Sequence, residues 1–88
     1  GNLNPDQWVQ TVERFPAWDE EVVVDSVRLE LAGTIGYALL AAHGLGLPAV
    51  VVSTLGEDAL GRFVLDALAG LGVDAGGVEV IPGQETTV

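Results

Sequence analysis

Residues 49–72 read AVVVSTLGEDALGRFVLDALAGLG, and the two halves of this stretch follow different periodicities. Ala49 to Val52 is a short, unbroken, β-branched run of the kind found in parallel strands buried on both faces. Glu57 and Asp58 then open a helix, where acids favour the positive end of the helix dipole. The helix's apolar residues Leu60, Phe63, Val64, Ala67, Leu68 and Leu71 recur with the rhythm of one buried face. Gly72 is a natural stop. A buried strand feeding an amphipathic helix is the repeating unit of α/β proteins.

Working outward, Ala32-Gly33-Thr34 opens a second helix through about Gly36 to His43, which ends at Gly44-Leu45-Gly46. It is apolar on nearly all sides and so expects cover on both. Upstream, Val22 to Leu31 alternates in its later part, with Val27, Leu29 and Leu31 on one face and Arg28 and Glu30 on the other. This predicts a half-exposed strand or a bent strand pair, with Phe15-Pro16-Ala17-Trp18-Asp19 supplying the preceding turn. Gly1 to Asp6 (GNLNPD) is rich in turn formers and reads as a loop at the end of a strand. Downstream, Val78–Ile81 and Glu85–Val88 are two short strand candidates around Pro82-Gly83. The resulting class is α/β, without internal repeat or low-complexity linker. One buried strand cannot cover two helices, so the sheet is expected to be incomplete.

The chain has 88 residues, 49% of them hydrophobic, with no cysteine. At this size folding buries roughly 60–65% of the extended chain's surface, so stability is thin and the core rests on packing alone, perfected by another chain if one is present. Thirteen acids face three arginines and no lysine, a net charge of −10. Such a surface repels phosphate backbones and anionic membranes at long range, so neither nucleic acid nor membrane is an expected partner. The acids are spread along the chain, which reads as a solvated surface. No stretch approaches the 18 or more apolar residues of a membrane span, and Gly1 to Asp6 is no signal peptide. Because residue 1 is not Met, a processed, trimmed or partial chain is expected.

Several landmarks occur in a fixed order: Gly1, Asn4 and Asp6; Phe15-Pro16 followed by Glu20; Ala32-Gly33; Gly46; Leu55-Gly56-Glu57-Asp58 with Gly61; and Val73-Asp74 after the second helix. In this order and spacing the chain resembles the amino-terminal portion of the PfkB (ribokinase-like) carbohydrate kinases along essentially its whole length. The resemblance implies a partial ribokinase-like fold over 1–88: lid strands at about 22–31 and 78–88, a helix–strand–helix core at about 34–72, and an incomplete parallel sheet flanked by helices. It also implies a cytoplasmic location, and a homodimer contact through lid strands of the kind that cover the sugar in the family.

In that family the opening Asn and Asp and the Gly-Gly segment at the helix start bind sugar hydroxyls. The resemblance therefore places Asn4, Asp6 and Gly33 at the substrate, with Thr34 beside them. An ionised Asp accepts from hydroxyls, an Asn amide donates and accepts, and Gly lets ligand approach the backbone; the plainer reading is that Asn4 and Asp6 organise a turn. Tyr37 stands where the family carries a sugar-contacting Asn, Leu39 where a small residue follows, and Ala32 in place of the first Gly. The usual sugar specificity is thus not carried over, and Tyr37 either stacks on substrate or packs in the core with its hydroxyl wet. His43 is alone on an apolar helix and reads as packed or surface histidine, not a base. Trp8 and Trp18 read as anchors of the strand pair in preference to pocket-edge aromatics, and Asp58 as a helix-start residue without catalytic duty.

Phosphoryl transfer needs a base, anion-stabilising donors and usually Mg²⁺. The family supplies the base and anion hole from an Asp-x-x-Gly-Ala-Gly-Asp-like motif that this sequence lacks, and no Gly-x-x-x-x-Gly-Lys loop replaces it. ATP and Mg²⁺ are implied by resemblance only, no metal ligands are identified, and the isolated chain is expected to be inactive. Two functions follow: the substrate-recognition and lid portion of an ATP-dependent kinase for a sugar, sugar acid or nucleoside, or a non-catalytic module that assembles through its lid strands.

Overall fold

A computed structural model describes residues 2–10, 17–21 and 26–87. Six elements follow in order: β1 (Asn4–Gln10), β2 (Ser26–Ala32), α1 (Gly33–Gly44), β3 (Val50–Gly56), α2 (Ala59–Gly70) and β4 (Asp74–Ile81). They form two small sheets, an antiparallel β1–β2 ribbon and a parallel β3–β4 pair, with two helices. This is the mixed α/β class expected, with an incomplete sheet: among the described residues the parallel pair has two strands.

The alternation read in β2 sets the ribbon's two faces. Leu31, Leu29 and Val27 stand opposite Pro5, Gln7 and Val9, whereas Ala32, Glu30, Arg28 and Ser26 stand opposite Asn4, Asp6, Trp8 and Gln10. Cross-strand partners share a face, so the second set makes a polar surface with Asn4 and Asp6 on it.

The core draws on both sheets and both helices: Leu3, Leu31, Leu39, Val51, Leu55, Val64 and Leu68. Val64 and Leu68 are completely buried, each removing from water a side chain whose burial contributes about 1.5–3 kcal/mol. They lie on the α2 face predicted by periodicity, with Phe63, Ala67 and Leu71 packed against them.

Four expectations are corrected. Asn4 to Asp6 are not loop but the first residues of β1; β2 supplies a partner for them, and Pro5 is tolerated because a two-stranded ribbon leaves β1 a free edge. Of the two strand candidates around Pro82-Gly83, only Val78–Ile81 is strand among the described residues. Residues from Asp74 to Ile81 pair in parallel with β3, Pro82 and Gly83 turn, and residues 84–87 carry no strand. The Gly76-Gly77 pair sits at a register shift opposite Val50 and Val52, where a Cβ on Gly77 would stand 2.9 Å from the Val52 side chain. β3 is buried on one face only. Val51 and Leu55 face the helices, while Val50 and Val52 are 70% and 78% exposed because no described residues cover the other side. Finally, α1 is not covered all round: Gly36 and Leu39 are buried, whereas Tyr37 and Leu40 are exposed.

The Cα radius of gyration is 15.3 Å, against about 12 Å for a compact domain of this length. Two half-covered sheets meeting over one small core account for the excess. Phe15-Pro16 and the Val22–Asp25 part of the expected strand lie outside the described residues.

Candidate functional site

The β1–β2 ribbon delivers its polar face to the start of α1, and there the predicted residues converge. Gly33 begins the helix at φ +82, a left-handed conformation that glycine adopts freely. A Cβ at this position would collide with the Asn2 carbonyl and stand 2.6 Å from Asn4 Oδ1, so glycine is required both by backbone and by the approach of Asn4. The Asn2 carbonyl accepts from Ile35 N at 2.9 Å, and Thr34 Oγ1 accepts from Asn2 N at 3.1 Å. These bonds tie the strand entry to the first helical turn. No side chain caps α1 and no acid lies in its first turn.

Asn4 Nδ2 donates to Asp6 Oδ1 at 3.4 Å, and the Tyr37 hydroxyl donates to Asp6 Oδ2 at 3.2 Å. Tyr37 lies four residues after Gly33 and hence on the same side of the helix. Its ring is 55% exposed, so it is not a core aromatic; it is part of the polar face. The neighbouring Asp6 charge and hydrogen bond, with a smaller contribution from Glu30, hold the phenol above its usual pKa. Asn4, Asp6, Gly33 and Tyr37 therefore form one cluster, with Thr34 next to it along α1 and bonded to Asn2 instead.

Three neighbours escaped the sequence reading as site residues. Glu30 is Asp6's direct cross-strand partner, a like-charge pairing that is unfavourable in isolation. Arg28 offsets it, with Nε 3.0 Å from Glu30 Oε1. The same guanidinium lies 5.4 Å from the centre of the Trp8 ring, a cation–π distance. Trp8 thus serves the ribbon as expected, yet half-exposed at the rim of the polar face, while Trp18 is fully exposed. Alternation along β2 carried the signal for Glu30 and Arg28; what it lacked was the register with β1.

Away from this cluster, Asp58 and Thr86 make a lock at the start of α2. Asp58 Oδ1 accepts from Gly61 N at 2.7 Å and from Thr86 Oγ1 at 2.6 Å, and Oδ2 accepts from Thr86 N at 2.7 Å. Thr86 Oγ1 in turn accepts from Gly56 N at 3.0 Å. Thr86 is buried. These bonds, first those from Thr86 and then that from Gly61, hold the Asp58 carboxyl below its usual range. The geometry is that of an N-cap extended to fasten the segment after β4. His43 is exposed in the last turn of α1, where a histidine complements the helix dipole.

The described residues do not fit a nucleoside triphosphate. Arg28 is engaged by Glu30, and Arg62 shares a hollow with Glu57, Asp58 and Asp66, a setting that repels polyphosphate. Among the described residues no three acids, histidines or cysteines group as metal ligands. No described helix is long and apolar enough to cross a membrane.

No protein-family model matches the chain, and no curated protein matches it. Solved structures do. Ribokinase from Arabidopsis thaliana, complexed with ribose and ATP, superposes with a TM-score of 0.81 and 30% identity over 98% of this chain and 28% of its own. A ribokinase-like protein of Agrobacterium tumefaciens gives 0.79 and 26%, over 97% of this chain and 28% of its own. The Burkholderia thailandensis nucleoside kinase in complex with inosine gives 0.70 and 26%, over 98% and 29%. The chain thus spans a little over a quarter of the length of the proteins it matches.

Proposed function

This chain carries the amino-terminal portion of the ribokinase-like (PfkB) carbohydrate-kinase fold, and from that premise we propose that it supplies the acceptor-binding wall of an ATP-dependent kinase. The acceptor is a sugar, sugar acid or nucleoside hydroxyl. One observation carries the reading: Asn4, Asp6 and Tyr37 are hydrogen-bonded together beside a glycine whose missing side chain lets Asn4 approach a helix start that no side chain caps. Their roles are to bind and orient. The Asp6 carboxylate accepts from an acceptor hydroxyl, the Asn4 amide offers a second polar contact, and Gly33 with Thr34 brings backbone close to the ligand.

ATP and Mg²⁺ supply the phosphoryl group and its charge neutralisation in such a reaction. No residue of this chain is assigned to hold them, and no base is assigned. The chain by itself is therefore inactive, and a homogeneous 88-residue preparation that phosphorylates any sugar with ATP and Mg²⁺ contradicts this. The reading itself is tested by titrating the ¹⁵N-labelled chain with pentoses, hexoses and nucleosides. Amide shifts concentrated at Asn4, Asp6, Gly33, Thr34 and Tyr37 support it. Shifts elsewhere, or none with any acceptor, overturn it.

A second reading, assembly through the ribbon, is favoured by one observation. The cross-strand pair Val9 and Val27 is exposed, at 52% and 58%, on the face away from the polar cluster. A homodimer formed there predicts stability that rises with protein concentration and is indifferent to sugar.

A further inference from the structure

We propose that Tyr37 occupies the place of one acceptor hydroxyl at Asp6, so that this chain accepts ligands through a single hydroxyl and does not distinguish a vicinal diol from its deoxy analogue. The inference rests on the acceptor-site reading above and adds the chemistry that the site selects.

A carboxylate facing a free sugar has two oxygens to offer a pair of neighbouring hydroxyls. Here neither is free of the chain. Asn4 Nδ2 bonds Oδ1 at 3.4 Å and the Tyr37 hydroxyl bonds Oδ2 at 3.2 Å. The phenol is an O–H donor, the same chemical group that a sugar would bring. It comes from α1 and reaches across to the carboxylate on β1, so it takes up one of the two oxygens. Glu30, Asp6's partner on the ribbon, adds no donor, because a carboxylate only accepts and its own charge is engaged by Arg28. A ligand hydroxyl therefore adds to a carboxylate that already has one hydroxyl on it. The exposed Tyr37 ring adds a flat, apolar face beside that contact, suited to the C–H face of a furanose ring.

Ribose and 2-deoxyribose, which differ by one member of a vicinal pair, are the probes. Wild-type chain binds the two with equal affinity by calorimetric titration. Tyr37→Phe removes the internal donor while keeping the ring, and binds ribose about ten-fold more tightly than 2-deoxyribose, the worth of one hydrogen bond to a charged group. A wild-type chain that already prefers ribose ten-fold, or a Tyr37→Phe chain whose ratio stays at unity, overturns the inference. Asp6→Asn separates this from failure of the site itself. If Asp6→Asn weakens both sugars while the Tyr37→Phe ratio is unchanged, the site stands and the role of Tyr37 falls; if it changes neither affinity, or if no chain binds either sugar, both fall. Tyr37 is the only tyrosine, so phenolate absorbance reads it alone: Asp6→Asn is expected to ionise it at lower pH than wild type, and an unchanged titration contradicts the contact.

Discussion

Asp6 and Asp58 are both carboxylates beside a helix start, and the molecule uses them in opposite ways. Asp58 accepts three bonds of 2.6–2.7 Å, two of them from backbone N–H groups. Asp6 accepts two bonds of 3.2 and 3.4 Å, both from side chains. The first is an N-cap completed by its own chain; the second stands near a helix that no side chain caps. Short bonds from backbone donors fix structure, because those donors cannot leave without unfolding something. Two longer bonds from exposed side chains leave acceptor sites on the carboxylate to which a ligand hydroxyl can add. The α2 end of the molecule is thus fastened by its own chain, and the α1 end is the one proposed to bind.

The contrast predicts a graded set of outcomes. Leu68→Ala, emptying a fully buried position on α2, is expected to cost about 3 kcal/mol, measured by urea unfolding. In a small domain this is a large part of the total, and a loss below 1 kcal/mol would show that α2 does not anchor the core. Thr86→Val preserves shape but leaves the buried Gly56 N–H without its acceptor and removes one of the three bonds to Asp58, since the Gly61 N–H and the backbone N–H at position 86 still donate to it. About 2 kcal/mol is expected, and an unchanged urea midpoint would remove the lock from the account.

The third outcome concerns pH. The Asp58 carboxyl is held below its ordinary value of 3.8 in the folded chain, so its stabilising contribution is fully present above that value and is lost as pH falls through the lower, folded one. Urea midpoints should therefore drop on acidification below about pH 4, and Asp58→Asn should flatten the drop. Equal acid sensitivity in wild type and variant would break the assignment. Smallest in stability is Asp6→Asn at the exposed cluster: its melting temperature should stay near wild type while its affinity for sugars falls. A variant that melts early would make Asp6 a structural residue like Asp58.

What the sequence disclosed follows the range of the interactions. The α2 face was legible because Leu60 to Leu71 repeat within one helix, and Asp58 was legible as a helix start. Its partner Thr86 was not, since it lies 28 residues away and joins only when β4 returns beside β3. Asn4-Pro5-Asp6 has the composition of a turn and became strand because β2 supplies a register for it. The candidate residues Asn4, Asp6 and Gly33 were named from family resemblance. The contact between Tyr37 and Asp6, 31 residues apart, was decided by tertiary structure. The Val50–Val52 run read correctly as strand, but its chemistry alone carries no statement of how many faces are covered.

Hydrogen exchange of the 88-residue chain with and without ribose tests the division of labour most directly, because both helix starts are read in one experiment. Ribose is predicted to slow exchange at Gly33 to Tyr37 and at Asp6 while leaving Gly56 to Leu68 and Thr86 unchanged. Protection centred on Gly56 to Leu68, or no protection at Gly33 to Tyr37, would contradict the assignment of the α1 end as the binding end.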